Sequence, residues 1–224
     1  MSKPLILVHG AWHGAWCFAP LISSLHDHGI DPITIDLPLK GSKTDIATTR
    51  SLIAKYPEAV VLGHSYGGVV ITHAAIGMNV VHLVYLCAFL PDKEEDLYSR
   101  FLHHSDSLLH RENTLKFNDD GTTFVNPSMA YETFYHDCDT NDAEHAIAQL
   151  RNQPVDTFPL LTQTPAWKET PSTYVICNQD KAIPPSLQRE FARSTTNSIE
   201  IDSGHSPFMS MPDKVAEILV QLVR

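Results

Sequence analysis

The segment Val60-Val61-Leu62-Gly63-His64-Ser65-Tyr66-Gly67-Gly68-Val69-Val70 joins an apolar run to a helical pattern through Gly-x-Ser-x-Gly. A serine at such a strand-to-helix turn is held in a strained backbone conformation that lifts its hydroxyl clear of the sheet. The helix N-terminus beneath it favours developing negative charge. Serine is a weak nucleophile at neutral pH and needs a base. His205 follows the short apolar stretch ending at Ile201, and Asp180 follows Tyr174-Val175-Ile176-Cys177, so both lie just past candidate strand ends. Parallel strands bring their C-terminal ends to one edge of a sheet, where distant residues of this kind converge. Asp92, just beyond the run ending at Cys87, is a rival for the acid, and chain order does not choose between the two.

Acyl transfer also needs two backbone N–H groups aimed at the carbonyl oxygen. Tyr66, next to the serine, is one candidate; Ala11, in His9-Gly10-Ala11-Trp12-His13-Gly14, is the other. His9 and His13 have the spacing of helical zinc ligands, but Gly10 and Gly14 argue against a helix there and no third ligand is evident. Lys40-Gly41-Ser42-Lys43-Thr44 lacks the glycine spacing of a phosphate-cradling loop. Neither a metal nor a cofactor is expected.

The elements that must position these residues form a βαβα rhythm. Apolar runs at Leu5–Val8, Pro32–Ile35, Ala59–Leu62 and Val80–Cys87 mostly lack polar alternation, as strands buried on both faces do. Helical patterns fall between them, at about Cys17–Gly29, Thr44–Lys55 and Tyr66–Gly77. The rhythm returns with a strand at Thr173–Cys177, a helix at Pro185–Arg193, a strand at Ser198–Ile201 and a helix from Pro212. The expected fold is α/β: a mostly parallel central sheet of about six strands, helices on both faces and a helical cap insertion. Residues 1–92 and 171–224 make the core, and residues 93–170 the cap, read as a lid or binding element because long insertions of this kind tend to be functional. Within the cap, Asn141 and Glu144 resemble a capping box opening a helix with Ala143, Ala146, Ile147 and Leu150 on one face. Phe101, Phe124, Met129, Phe134 and Tyr135 are candidates for an apolar wall of the pocket and equally for the cap's own core.

Composition narrows the partners. A net charge of −10 argues against nucleic acid. No apolar run approaches the ~20 residues of a membrane span. The N-terminal run Leu5–Val8 is too short for a signal peptide core. Four cysteines at wide spacing read as free thiols of a reducing compartment, so the cytoplasm is the expected location. Monomer and homodimer are both compatible with the sequence.

Five motifs bring a family into view: Leu7-Val8-His9-Gly10-Ala11-Trp12-His13-Gly14-Ala15-Trp16, Gly63-His64-Ser65-Tyr66-Gly67-Gly68, Ala88-Phe89-Leu90-Pro91-Asp92, Asp180-Lys181-Ala182-Ile183-Pro184 and Gly204-His205. With them the chain resembles the plant and bacterial α/β-hydrolases that include methyl-ester esterases, salicylate-binding esterases and hydroxynitrile lyases. The resemblance implies Ser65, Asp180 and His205 as a catalytic triad, which favours Asp180 over Asp92. It also implies Ala11 and Tyr66 as oxyanion donors, and a helical cap over the pocket. Lyases of that family carry a threonine at the position of Ala11 and a lysine at that of Ser206; both departures argue for ester hydrolysis. The expected activity is hydrolysis of small-molecule carboxylic esters through an acyl-enzyme, falling on acidification as His205 protonates. The alternatives are a lyase-like reaction on the same scaffold and a non-catalytic small-molecule receptor.

Overall fold

A computed structural model describes residues 2–224. The first half of the chain lays down four parallel strands: β1 (Leu5–Val8), β2 (Ile33–Ile35), β3 (Ala59–His64) and β4 (Val80–Leu86). Between them run α1 (Ala19–Asp27), α2 (Ser42–Ile53) and α3 (Tyr66–Ala74). Residues between β4 and the next strand of this sheet add α4 (Leu97–Leu102), β5 (Leu115–Phe117), β6 (Thr122–Val125), α5 (Pro127–Ala130), α6 (Thr140–Ala148) and β7 (Gln153–Pro154). The chain then returns through β8 (Ser172–Cys177), α7 (Pro185–Ala192), β9 (Asn197–Ile201), the short α8 (Pro207–Ser210) and α9 (Pro212–Val223). The six-stranded sheet has the order β2-β1-β3-β4-β8-β9, with every neighbouring pair parallel.

Both faces of this sheet are covered, which is why β1, β3 and β8 carry the apolar runs Leu5–Val8, Ala59–Leu62 and Tyr174–Cys177: all their residues are buried. The two-residue period sends alternate side chains to opposite cores. Ile6, Val8 and Val61 pack with Ile53 of α2, Val69 and Val70 of α3, and Leu187 and Phe191 of α7. Leu5, Leu7, Val60 and Leu62 pack with Leu21 and Leu25 of α1 and with Val215 and Leu219 of α9. Prolines open α7 and α9, where a missing N–H costs nothing. No helix of the described residues is long and apolar enough to cross a membrane.

The inserted segment corrects two expectations. It is not purely helical: β5, β6 and β7 form a separate antiparallel sheet. The helix expected there is present as α6, but its N-cap is Asp139, whose carboxylate accepts from the Asn141 and Asp142 amides. Asn141 therefore lies inside the helix, and the Asn141–Glu144 capping box does not form. Asp139 is the better cap because its short acidic side chain serves two free N-terminal donors at once.

Candidate active site

Ser65 stands between β3 and α3 with φ +53 and ψ −120, a conformation costly for a residue with a Cβ. Its neighbours hold it there. The Ser65 amide donates to Leu86 O at 3.3 Å, and its carbonyl accepts from Gly68 N at 3.0 Å and Phe89 N at 3.2 Å. Gly67 makes the turn possible: a Cβ on it would lie 2.5 Å from Val8 O and 2.9 Å from His9 O, main-chain atoms that cannot move aside. The turn thus brings α3 and the loop after β1 into backbone contact beneath the serine.

His205 and Asp180 meet on the same rim. The imidazole Nδ1–H donates to Asp180 Oδ2 at 2.8 Å, with His205 2% and Asp180 4% exposed. The other carboxylate oxygen accepts from the Ala182 and Ile183 amides at 2.7 and 3.0 Å. Gln188 Nε2 donates the fourth bond, to Oδ2 at 2.8 Å, so this buried carboxylate is fully solvated by protein. Asp92, the rival acid, lies elsewhere, accepting from Lys168 Nζ at 2.6 Å on the surface. Ser65 is next to His64, whose Nε2–H donates to the His205 carbonyl at 2.8 Å and whose ring packs 4.7 Å from the His205 ring. Among the described residues the Ser65 hydroxyl has no hydrogen-bond partner, His205 included.

Ala11 and Tyr66 line the same cavity as Ser65. Among the described residues neither amide donates to another backbone carbonyl; Tyr66 is the first residue of α3, where N–H groups are free by geometry. The Tyr66 hydroxyl donates to Asp45 Oδ2 at 3.0 Å, anchoring the start of α3 to α2. Burial pushes the Asp45 carboxyl up. The Ala11 loop is held by two histidines rather than by a metal. His9 Nδ1–H donates to Gly10 O, and its Nε2 accepts from Leu37 N. His13 Nδ1–H donates to Ala11 O, and its Nε2 accepts from the Tyr135 hydroxyl. Burial lowers their pKa to about 4 and about 3, so both are neutral at pH 7 and can accept as well as donate.

One group of three possible ligand atoms lies within 4.8 Å, on His64, Cys87 and His205. His64 Nε2 and His205 Nδ1 are taken by hydrogen bonds, His64 Nδ1 and His205 Nε2 are not, and burial pushes the Cys87 thiol up, keeping it protonated. All three side chains are buried.

Several residues that hold the site escaped the sequence reading. Gln188, fully buried on α7, donates to Asp180 Oδ2 and Ile183 O and accepts from Cys177 N, tying the acid to the end of β8. Asp137, from the insertion, accepts from Gly204 N at 2.6 Å and from the Ser203 hydroxyl at 3.0 Å, gripping the loop that carries His205. Lys181 pairs with Glu132 of the insertion. A polar residue on an otherwise apolar helix face was the one available signal, at Gln188.

The cavity has a volume of about 700 Å³ and runs from Ser65 outward between the sheet rim and the insertion. Of the five aromatic and methionine candidates, Phe101 lines it. Phe134 and Tyr135 instead fill the insertion's own core, packed around His13, and Phe124 and Met129 do not reach the cavity.

A parallel sheet with a strained serine at the start of a helix, and a buried Asp–His pair on the same edge, is matched by the family model described as "Alpha/beta hydrolase family" over residues 5–218. The chain belongs to the α/β-hydrolase family. It is 28% identical to the alpha/beta hydrolase nvfD of Aspergillus novofumigatus, covering 98% of this chain and 96% of that one. It is 29% identical to methylesterase 18 of Arabidopsis thaliana, covering 96% and 95%. Among solved structures, polyneuridine aldehyde esterase superposes with a TM-score of 0.84 over all of both chains at 21% identity, a likeness of fold. The α/β-hydrolase assignment and the hydrolase and methylesterase relatives make this chain a hydrolase.

Proposed function

We propose that this hydrolase is a serine carboxylesterase acting on small-molecule esters, with Ser65 as nucleophile, His205 as general base and Asp180 as the group that orients it. One observation carries the reading: the buried 2.8 Å Asp180–His205 hydrogen bond on the sheet edge where the backbone of Ser65 is forced to φ +53. Asp180 fixes the proton on Nδ1, leaving Nε2 free to accept one. Nε2 takes the Ser65 proton as Oγ bonds to the ester carbonyl carbon, and the Ala11 and Tyr66 amides receive the oxyanion. Collapse breaks the carbon–oxygen bond, and His205 returns the proton to the departing alcohol. Water, deprotonated by the same nitrogen, then attacks the acyl-enzyme and releases the acid and the free serine. The step requires the Ser65 hydroxyl to engage His205, a contact that commonly tightens only when substrate is bound. The methylesterase relatives support a carboxylic ester as substrate.

The test is hydrolysis of p-nitrophenyl acetate together with labelling by a fluorophosphonate. Ser65→Ala should lose labelling and lower kcat by about a thousand-fold or more. Turnover equal to that of the unsubstituted chain would remove Ser65 from the mechanism.

A further inference from the structure

Exposed large apolar residues are ordinary when scattered and informative when gathered. Among the described residues there are five: Tyr98 (53% exposed), Leu102 (47%), Phe117 (74%), Val155 (58%) and Leu160 (62%). The first four line the cavity that holds Ser65, and all four come from the insertion. Tyr98 and Leu102 lie on α4, Phe117 ends β5 and Val155 follows β7, so three separate elements place an apolar side chain on one rim.

Between the serine and the rim, Phe89, Phe158 and Tyr98 all line the cavity that holds Ser65. The Phe89 ring meets Phe158 edge-on at 4.8 Å, and Phe158 meets Tyr98 at 6.1 Å. A chain bonded at Ser65 Oγ can therefore run along these three rings toward the mouth, past the polar residues Arg111, Glu112 and Asp156 that also line the cavity. A short, water-soluble ester would leave most of this surface wet.

We propose that the substrate is an ester bearing an extended apolar chain or ring system, and that Tyr98, Leu102, Phe117 and Val155 form the outer subsite that grips its far end. The proposal rests on the serine esterase reading for its chemistry, but on the rim alone for its substrate class. Each methylene moved from water onto such a surface raises kcat/KM about two- to four-fold until the chain passes the rim.

The experiment measures kcat/KM, below micelle-forming concentrations, in two series: p-nitrophenyl esters from acetate to decanoate, and alkyl acetates from methyl to octyl. A rise with length in either series is expected, and the series that rises tells which half of the ester lies in the subsite. The double variant Leu102→Ser/Phe117→Ser should cut the ratio of long-chain to shortest-chain kcat/KM at least about ten-fold; both positions are exposed, so the core is untouched. Leu160→Ser, outside the cavity, should leave that ratio as it is. Flat or falling profiles in both series, or an unchanged ratio in the double variant, would overturn the subsite. So would recruitment to phosphatidylcholine vesicles without a chain-length effect, which would assign the rim to a membrane surface. Calorimetric binding of octanamide over acetamide to the Ser65→Ala protein, weakened in the double variant, tests the rim without turnover. Failure of Ser65 as nucleophile and failure of the subsite thus give different results.

Discussion

The rim of the central sheet and the insertion above it supply opposite walls of one cavity, yet they are held by different physics. On the sheet side, strands buried on both faces fix the backbone, and polar groups are matched inside: Asp180 makes four hydrogen bonds, and both ring nitrogens of His9 and of His13 are hydrogen-bonded. On the insertion side, elements are two to nine residues long, ends are capped by Asp96, Asn126 and Asp139, and ion pairs such as Lys181–Glu132 lie in solvent. Exposed pairs of that kind contribute little. The side that carries the proposed chemistry should therefore tolerate little change, and the insertion side more.

Acid should expose this contrast most strongly. His9 and His13 hold pKa values of about 4 and about 3 through burial, and burial also lowers His64 well below its ordinary value. Unfolded histidines titrate near ~6.5, so below that pH the unfolded chain binds protons that the folded chain refuses. Their contribution is complete above about 6.5 and is lost as pH falls toward about 4 for His9 and about 3 for His13. Each imidazole removes up to about 1.4 kcal/mol of stability per pH unit in its window. Urea midpoints measured from pH 7.5 to 4.5 should fall steeply in one cooperative transition. A stability independent of pH over that range would break the account of the sheet side.

Two glycines sharpen it further. Gly67→Ala drives a Cβ into the carbonyls of Val8 and His9, and should cost about 3 kcal/mol and most of the activity. Gly121, in the β5–β6 turn, has φ +78 with open space around its Cβ position, so Gly121→Ala should cost only about 1 kcal/mol of backbone strain. Thermal melts of the two variants, side by side, compare the regions directly. Equal losses would erase the distinction.

The same contrast explains what the sequence disclosed. β1, β3 and β8 were visible because burial on both faces demands unbroken apolar runs, and Asp180 and His205 were visible as residues just past such runs. The structure joins Asp180 rather than Asp92 to the histidine through the turn at Ala182 and Ile183, whose amides no residue pattern reveals. The sheet of β5, β6 and β7 was invisible because strands of two to four residues offer too few alternations to read. Phe134 and Tyr135 stayed open between cavity wall and cap core because aromatic identity states that a side chain will be buried, not in which direction it points. Gln188 and Asp137 act across the fold, on Cys177 N and Gly204 N, and nothing in their own neighbourhoods announces it.

β4 and β8 are hydrogen-bonded neighbours, Leu83 to Leu86 against Ser172 to Val175, although the whole insertion separates them along the chain. The sheet registers only that the polypeptide comes back, and doubling the length of such an excursion adds just about 0.6 kcal/mol of closure entropy. Descendants of this gene are therefore free to rewrite the excursion, in length and in sequence, at little thermodynamic penalty. New substrate preferences would arise there first, while the strands on either side stay as they were inherited.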